Sequence, residues 1–176
     1  MSSPTFEQRA SAIKLILLDV DGVLTDGGLY FSESGETLKR FSSLDGHGLK
    51  LLQRHGITPA VVSGRDGKPL RQRLSALGVI HLRLGTEDKA PAAQSILDEL
   101  GLGWEAAAAM GDDWPDLPLL RRAALAVAPP AAHDEVRALA HHVTRRAAGE
   151  GAAREFCDLL LMARGAYAAE LEAAAR

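Results

Sequence analysis

Five polar residues spread along the chain carry side chains that together could move a phosphoryl group: Asp19, Asp21, Ser63, Lys89 and Asp112. A phosphomonoester brings negative charge toward a carboxylate nucleophile, so the reaction needs a cation between them and donors for the phosphoryl oxygens. Asp19 and Asp112 offer the hard oxygen ligands that Mg²⁺ prefers. Ser63 and Lys89 are the donors. On this reading Asp19 attacks phosphorus to form an acyl phosphate, which splits hydrolysis into two easier displacements. Asp21 protonates the departing alkoxide, then takes a proton from the water that cleaves the intermediate.

These residues sit where apolar segments end or helices begin. Ile13 to Leu18, interrupted only by Lys14, has the pattern of a strand buried on both faces, and it runs into Asp19-Val20-Asp21-Gly22. Carboxylates at i and i+2 on an extended backbone point the same way, so Asp19 and Asp21 are expected to crowd and to require a divalent cation. Gly22 permits the sharp turn that follows. Ile57 to Val62 reads as a second strand closed by Ser63-Gly64-Arg65, and Val79 to Leu84 as a third. Ala106 to Met110 has poor β propensity, yet its place before Gly111-Asp112-Asp113 predicts a buried strand. Leu125 to Ala128 and His142 to Thr144 complete the set. Helical spacing covers Leu44 to His55, Pro69 to Leu77, Lys89 to Leu100, Pro115 to Arg122, Ala131 to Ala140 and the run from Phe156 to Ala163. Such alternation predicts an α/β fold with a mostly parallel sheet and ligands beyond the carboxyl ends of its strands. All five residues then converge on one edge. Gly28 to Phe41, two short segments around Ser32-Glu33-Ser34-Gly35, predicts a small β-hairpin projecting from the end of the first strand.

The 176 residues suit a single domain, with a core over about 13–163 and a tail over 164–176. A net charge of -3 without a basic tract argues against a nucleic-acid partner. The lone Cys157 excludes an intramolecular disulfide framework and fits a reducing compartment. No apolar run reaches the length of a membrane span, and the polar stretch Met1 to Ala10, with Pro4, lacks the apolar core of a signal peptide, so a cytoplasmic location is expected. Five of the six histidines read as structural or surface residues. His47, between Gly46 and Gly48 at a helix start, is the one placed to approach a substrate.

Asp19-Val20-Asp21-Gly22-Val23-Leu24-Thr25-Asp26, Ser63-Gly64-Arg65, Lys89 and Gly111-Asp112-Asp113-Trp114-Pro115-Asp116 resemble, in order, the four motifs of the haloacid dehalogenase superfamily phosphatases. The resemblance implies a three-layer Rossmann-like fold with Asp19 as nucleophile and Asp21 as acid/base. It makes Ser63, Gly64 and Lys89 phosphate binders, and it assigns Mg²⁺ to Asp19, Asp112 and the carbonyl of Asp21. Asp113 and Asp116 would orient Lys89 or metal-bound water. Neither gap between motifs can hold a cap domain, so the chain is similar to the capless subfamily, in which neighbouring subunits close each other's sites. That implies a homotetramer, with the hairpin 28–41 and the C-terminal tail near neighbouring sites. Within the subfamily the chain most resembles members acting on an eight-carbon sugar acid 8-phosphate of lipopolysaccharide biosynthesis. Ser42, Asp45, Gly46, Arg65, Arg73 and the segment Gly149 to Glu155 correspond to residues that contact the sugar acid or its phosphate, and Lys50 stands where the family carries Arg.

Three other functions share parts of this pattern. A phosphatase for a nine-carbon sugar acid 9-phosphate would use the same motifs. A receiver-like signalling domain would place its phospho-acceptor aspartate after a middle strand, where Ser63 stands here. A phosphate-binding module without turnover would lack part of the catalytic set, which is complete.

Overall fold

The computed structural model describes residues 5–176. Six strands form one sheet: β1 (Leu15–Leu18), β4 (Thr58–Ser63), β5 (His81–Leu84), β6 (Ala107–Met110), β7 (Leu125–Ala128) and β8 (His142–Val143). Their order is β5-β4-β1-β6-β7-β8, with every adjacent pair parallel. The hairpin is a separate two-stranded ribbon of β2 (Tyr30–Ser32) and β3 (Gly35–Leu38). The helices are α1 (Phe6–Ser11), α2 (Ser43–Arg54), α3 (Lys68–Ala76), α4 (Lys89–Leu100), α5 (Leu117–Arg122), α6 (Asp134–Leu139), α7 (Ala152–Ala163) and α8 (Tyr167–Ala174).

The apolar runs read from the sequence are buried on both faces because strand side chains alternate. Ile16 and Leu18 join Val61, Met110 and Val127 under α2 and α7, packing with Leu49, Leu52, Phe156 and Leu160. Leu15 and Leu17 join Val62, Ala109 and Ala126 on the opposite face, against Ile96 and Leu97 of α4 and Leu119 and Leu120 of α5. Hence β1, at the centre, tolerates no polar position over its four residues. β6 is Ala-rich but is paired on both sides, to β1 and to β7, and wholly buried. Ladder hydrogen bonds and burial in the central position override its weak intrinsic preference.

Several boundaries differ from the sequence reading. Residues 114–116 form a 3₁₀ turn before α5, so the helix predicted from Pro115 begins at Leu117. α6 starts at Asp134, and α7 reaches back to Ala152. The polar N-terminal stretch lies partly outside the described residues, and the remainder forms α1. There Thr5 accepts a hydrogen bond from the Gln8 amide at 3.3 Å while Gln8 Oε1 accepts from the Thr5 amide at 2.9 Å, a reciprocal cap. No helix is long and apolar enough to cross a membrane among the described residues.

The strand order places β1 between β4, reached by the first crossover, and β6, reached after the chain returns across the sheet. At that reversal the loops leaving the strands diverge and open a crevice at the carboxyl edge. The ends of β1, β4 and β6 all face it.

Candidate active site

A cleft of about 870 Å³ opens at this edge, lined by Asp19, Asp21, Ser63, Gly64, Arg65 and Lys89 together with Asp112, Asp113 and Asp116. Glu87 and Pro115 also line it. The sequence had not pointed to Glu87.

Asp19 follows β1 directly, and its amide donates to the Met110 carbonyl at 3.1 Å, which fixes it against β6. The chain then leaves strand geometry. The amides of Val23, Leu24 and Thr25 all donate to the Val20 carbonyl, closing a tight turn with Gly22 at φ +89°. Gly22 is needed for a second reason: a Cβ there would lie 2.0 Å from Asp112 Oδ2. The absence of a side chain lets the turn after β1 press against the loop after β6, bringing the two acidic motifs together.

Lys89, at the first turn of α4, donates to Asp19 Oδ1 and to Asp116 Oδ1, each at 2.6 Å. Its side chain is 5% exposed. Burial would depress an isolated ammonium, but the charges of Asp116 and Asp19 outweigh that and hold Lys89 above its ordinary value. Asp116 uses its other oxygen, Oδ2, to accept the Asp112 amide at 3.0 Å. It thereby joins Lys89 to the Gly111-Asp112-Asp113 turn. Gly111 makes room, since a Cβ there would meet the Asp116 side chain at 2.3 Å. Asp113 is exposed on the rim. Ser63 ends β4, is 2% exposed, and its hydroxyl accepts the Arg65 amide at 3.2 Å.

Asp19, Asp112 and Asp116 each present an oxygen within 4.8 Å of the others. Burial, then the charge of Asp116, pushes the Asp19 carboxyl up to about 6 against the pull of Lys89. Burial, then the charges of Asp19, Asp116 and Asp113, pushes Asp112 up to about 7. One lysine does not balance this negative charge, and a hard divalent cation suits an all-oxygen donor set. With Asp116 committed to Lys89 and the turn, Asp19 and Asp112 are the carboxylates left to hold Mg²⁺.

The structure corrects one expectation. Asp19 and Asp21 pair with different cations: Asp19 shares Lys89 with Asp116. Strand periodicity ends at Leu18, so the i, i+2 rule no longer applies at Asp21. Asp21 instead meets the hairpin: Lys39 Nζ lies 2.5 Å from its Oδ1, and Arg65 Nε lies 3.6 Å from its Oδ2. Lys39 also pairs with Glu36 Oε1 at 2.6 Å. Neither Lys39 nor Glu36 was singled out from the sequence. Their spacing to Asp21 carries no signal until the hairpin folds back.

The residues expected to contact the sugar acid divide. Arg65 lines the cleft, whereas Ser42, Asp45, Gly46 and Arg73 border a separate void of about 10 Å³ with Leu24, Phe41 and Leu49. Arg73 donates to the Ser42 carbonyl at 3.1 Å, and Gly46 admits it, since a Cβ there would lie 2.3 Å from its guanidinium. Asp45 is 2% exposed and accepts the Arg154 amide at 2.8 Å, capping α7 from a distance. Burial holds its carboxyl above the ordinary value, opposed by amides of that helix end. Lys50 is exposed on α2, outside the lining of the cleft. His47 lines a different groove of about 220 Å³, bordered by α2, α7 and α8. In the Gly149 to Glu155 segment, a Cβ on Gly149, at φ +66°, would lie 2.5 Å from the Asp26 amide, so this glycine braces the acidic turn. The tail helix α8 lies on its own chain, where Glu170 pairs with His55 at 2.9 Å.

Comparison with known proteins follows the same lines. Residues 79–156 match the haloacid dehalogenase-like hydrolase family. The chain is 40% identical over 163 residues to the 3-deoxy-D-manno-octulosonate 8-phosphate phosphatase KdsC of Salmonella typhimurium, covering 93% of this chain and 87% of that protein. The crystal structure of a probable YrbI family phosphatase from Pseudomonas syringae superposes with a TM-score of 0.94 at 48% identity, covering 97% of each chain. That of the Moraxella catarrhalis 3-deoxy-D-manno-octulosonate 8-phosphate phosphatase, in complex with magnesium ion, phosphate ion and KDO, superposes with a TM-score of 0.92 at 35% identity, over 95% of this chain and 96% of the other. Likeness in sequence and fold over more than nine-tenths of the chain shows that it belongs to the haloacid dehalogenase-like hydrolases, in the family of 3-deoxy-D-manno-octulosonate 8-phosphate phosphatases.

Proposed function

We propose that the chain is a Mg²⁺-dependent phosphomonoesterase that converts 3-deoxy-D-manno-octulosonate 8-phosphate to the free sugar acid and phosphate. The observation that carries the reading is the buried group Asp19–Lys89–Asp116 beside Asp112, at the mouth of an open cleft on the carboxyl edge of the sheet.

Lys89 holds Asp19 Oδ1, which leaves the other oxygen to attack phosphorus in line with the sugar oxygen. The O8–P bond breaks as the aspartyl–phosphorus bond forms. Asp21, on the adjoining turn, gives its proton to the sugar oxygen. In the second displacement Asp21 takes a proton from the attacking water, phosphate leaves, and Asp19 is restored. Lys89 and Ser63 supply donors to the phosphoryl oxygens, while Asp116 keeps Lys89 in place. Asp19 and Asp112 would hold Mg²⁺, which would supply positive charge to offset that of the carboxylate nucleophile and the phosphoryl group.

The hairpin exposes Phe31 (65%) and Leu38 (59%), too much apolar surface for a ribbon left in water. This supports a homo-oligomer, of the tetrameric type the family suggests, in which the hairpin packs on a neighbouring subunit.

The test is steady-state phosphate release with Mg²⁺ over a panel of sugar phosphates. The eight-carbon acid 8-phosphate is expected to give the highest kcat/KM, and Asp19→Asn to abolish turnover. A higher kcat/KM for a nine-carbon acid 9-phosphate would overturn the substrate, and full turnover by Asp19→Asn would overturn the mechanism.

A further inference from the structure

We infer that Lys39 is a positioning residue, through which the hairpin sets the orientation of the Asp21 carboxylate. The inference rests on Asp21 acting as acid and base. Lys39 stands one residue past β3, in a hairpin where β2 is exposed throughout and β3 only half-buried at its start, yet its own side chain is 3% exposed. Burying an ammonium costs several kcal/mol unless carboxylates compensate. Two do so here: Asp21 Oδ1 at 2.5 Å and Glu36 Oε1 at 2.6 Å.

The asymmetry at Asp21 is the informative part. Its Oδ1 takes Lys39 and also the Thr25 hydroxyl at 3.4 Å. Its Oδ2 has only Arg65, at 3.6 Å, and Arg65 is about half exposed. One oxygen is therefore clamped, while the other keeps only the longer Arg65 contact, on a residue that lines the cleft. A general acid and base needs this arrangement. One oxygen must stay free to carry the proton, and the carboxylate must not rotate between the two displacements.

A two-stranded ribbon is barely stable by itself, and Arg40, beside Lys39, ties it at the surface to Asp26 and Glu150. Lys39 is thus the inward tie between ribbon and site. The ribbon occupies the place of the missing cap, so what it contributes to the reaction on its own chain is the orientation of Asp21.

The test is a double-mutant cycle on the full chain with Mg²⁺ and the eight-carbon acid 8-phosphate, using Lys39→Met, Asp21→Asn and the pair, with Lys39→Arg as the conservative variant and circular dichroism to check folding. Lys39→Met is expected to lower kcat by about 10–100-fold, the range for removing a residue that orients a reacting group, with KM within about 3-fold. Lys39→Arg is expected to restore most of kcat. In the Asp21→Asn background Lys39→Met is expected to change the residual rate by less than about 2-fold, because what it positioned is already lost. A loss of equal size in both backgrounds, or a rise in KM with kcat unchanged, would show that Lys39 meets the substrate directly and overturn the inference. A melted hairpin in Lys39→Met with normal kcat would overturn it as well. Full turnover by Asp21→Asn alone would instead overturn the reading of Asp21, a separate failure.

Discussion

Replacing Asp112 with Asn in the metal-free protein should stabilise it at alkaline pH. The Asp112 carboxyl is raised from 3.8 to about 7 in the folded chain, by burial first and then by its acidic neighbours. A group whose folded value lies above its unfolded one contributes stability that is complete below the unfolded value, near pH 4, and is lost as pH rises through the folded value, near 7. At ~1.4 kcal/mol per pH decade the full loss would be roughly 4 kcal/mol at pH 8. Asp112 is only partly buried, so solvent screening reduces this to roughly 2 kcal/mol. For a chain of this size that corresponds to about 4–8 °C in Tm. Thermal unfolding in EDTA should therefore show Asp112→Asn melting above the wild type at pH 8, with the gap closing toward pH 5. Added Mg²⁺ should reverse the order, because ligand binding to the folded state stabilises only the protein that keeps the site. If Asp112→Asn melts below the wild type in EDTA at pH 8, or if Mg²⁺ raises both equally, the carboxylates do not repel as described and the cation site is misplaced.

Three further outcomes follow from packing. Gly22→Ala should abolish Mg²⁺-dependent turnover and the Mg²⁺ shift in Tm together, since its Cβ would lie 2.0 Å from Asp112 Oδ2 at a backbone φ of +89°; normal Mg²⁺ stabilisation would contradict the close approach. Asp45→Ala should lower stability by about 0.5–2 kcal/mol, the usual value of a helix cap, while KM stays unchanged, because Asp45 caps α7 rather than lining the cleft; a KM increase with unchanged Tm would restore the substrate contact implied by resemblance. Phe31→Ser with Leu38→Ser should shift the oligomer toward monomer in light scattering, and an unchanged mass would remove the hairpin from the subunit contact.

Much of the site was legible in the sequence because its residues sit at the ends of apolar segments. Six apolar runs alternating with helical spacing determine a parallel sheet, and chain direction then carries Asp19, Ser63 and Asp112 to one edge whatever the details of packing. The weak strand at Ala107–Met110 was recoverable from its motif alone. Lys89 was legible because a cation opening a helix opposes the helix dipole and calls for an anion.

What the tertiary structure decided is which charges face one another. The local rule paired Asp19 with Asp21, but strand geometry ends at Leu18, and Asp21 pairs with Lys39 while Asp19 shares Lys89 with Asp116. The family resemblance implies ligand roles for Asp45 and the Gly149 segment; within this chain, packing makes Asp45 the cap of α7 and Gly149 the brace of the Thr25–Asp26 turn. The physical reason is common to all of these. Periodicity and chain direction are properties of one segment and its neighbours in sequence, whereas the partner of a buried charge is set by segments far apart in the chain: 18 positions separate Asp21 from Lys39, and 70 separate Asp19 from Lys89.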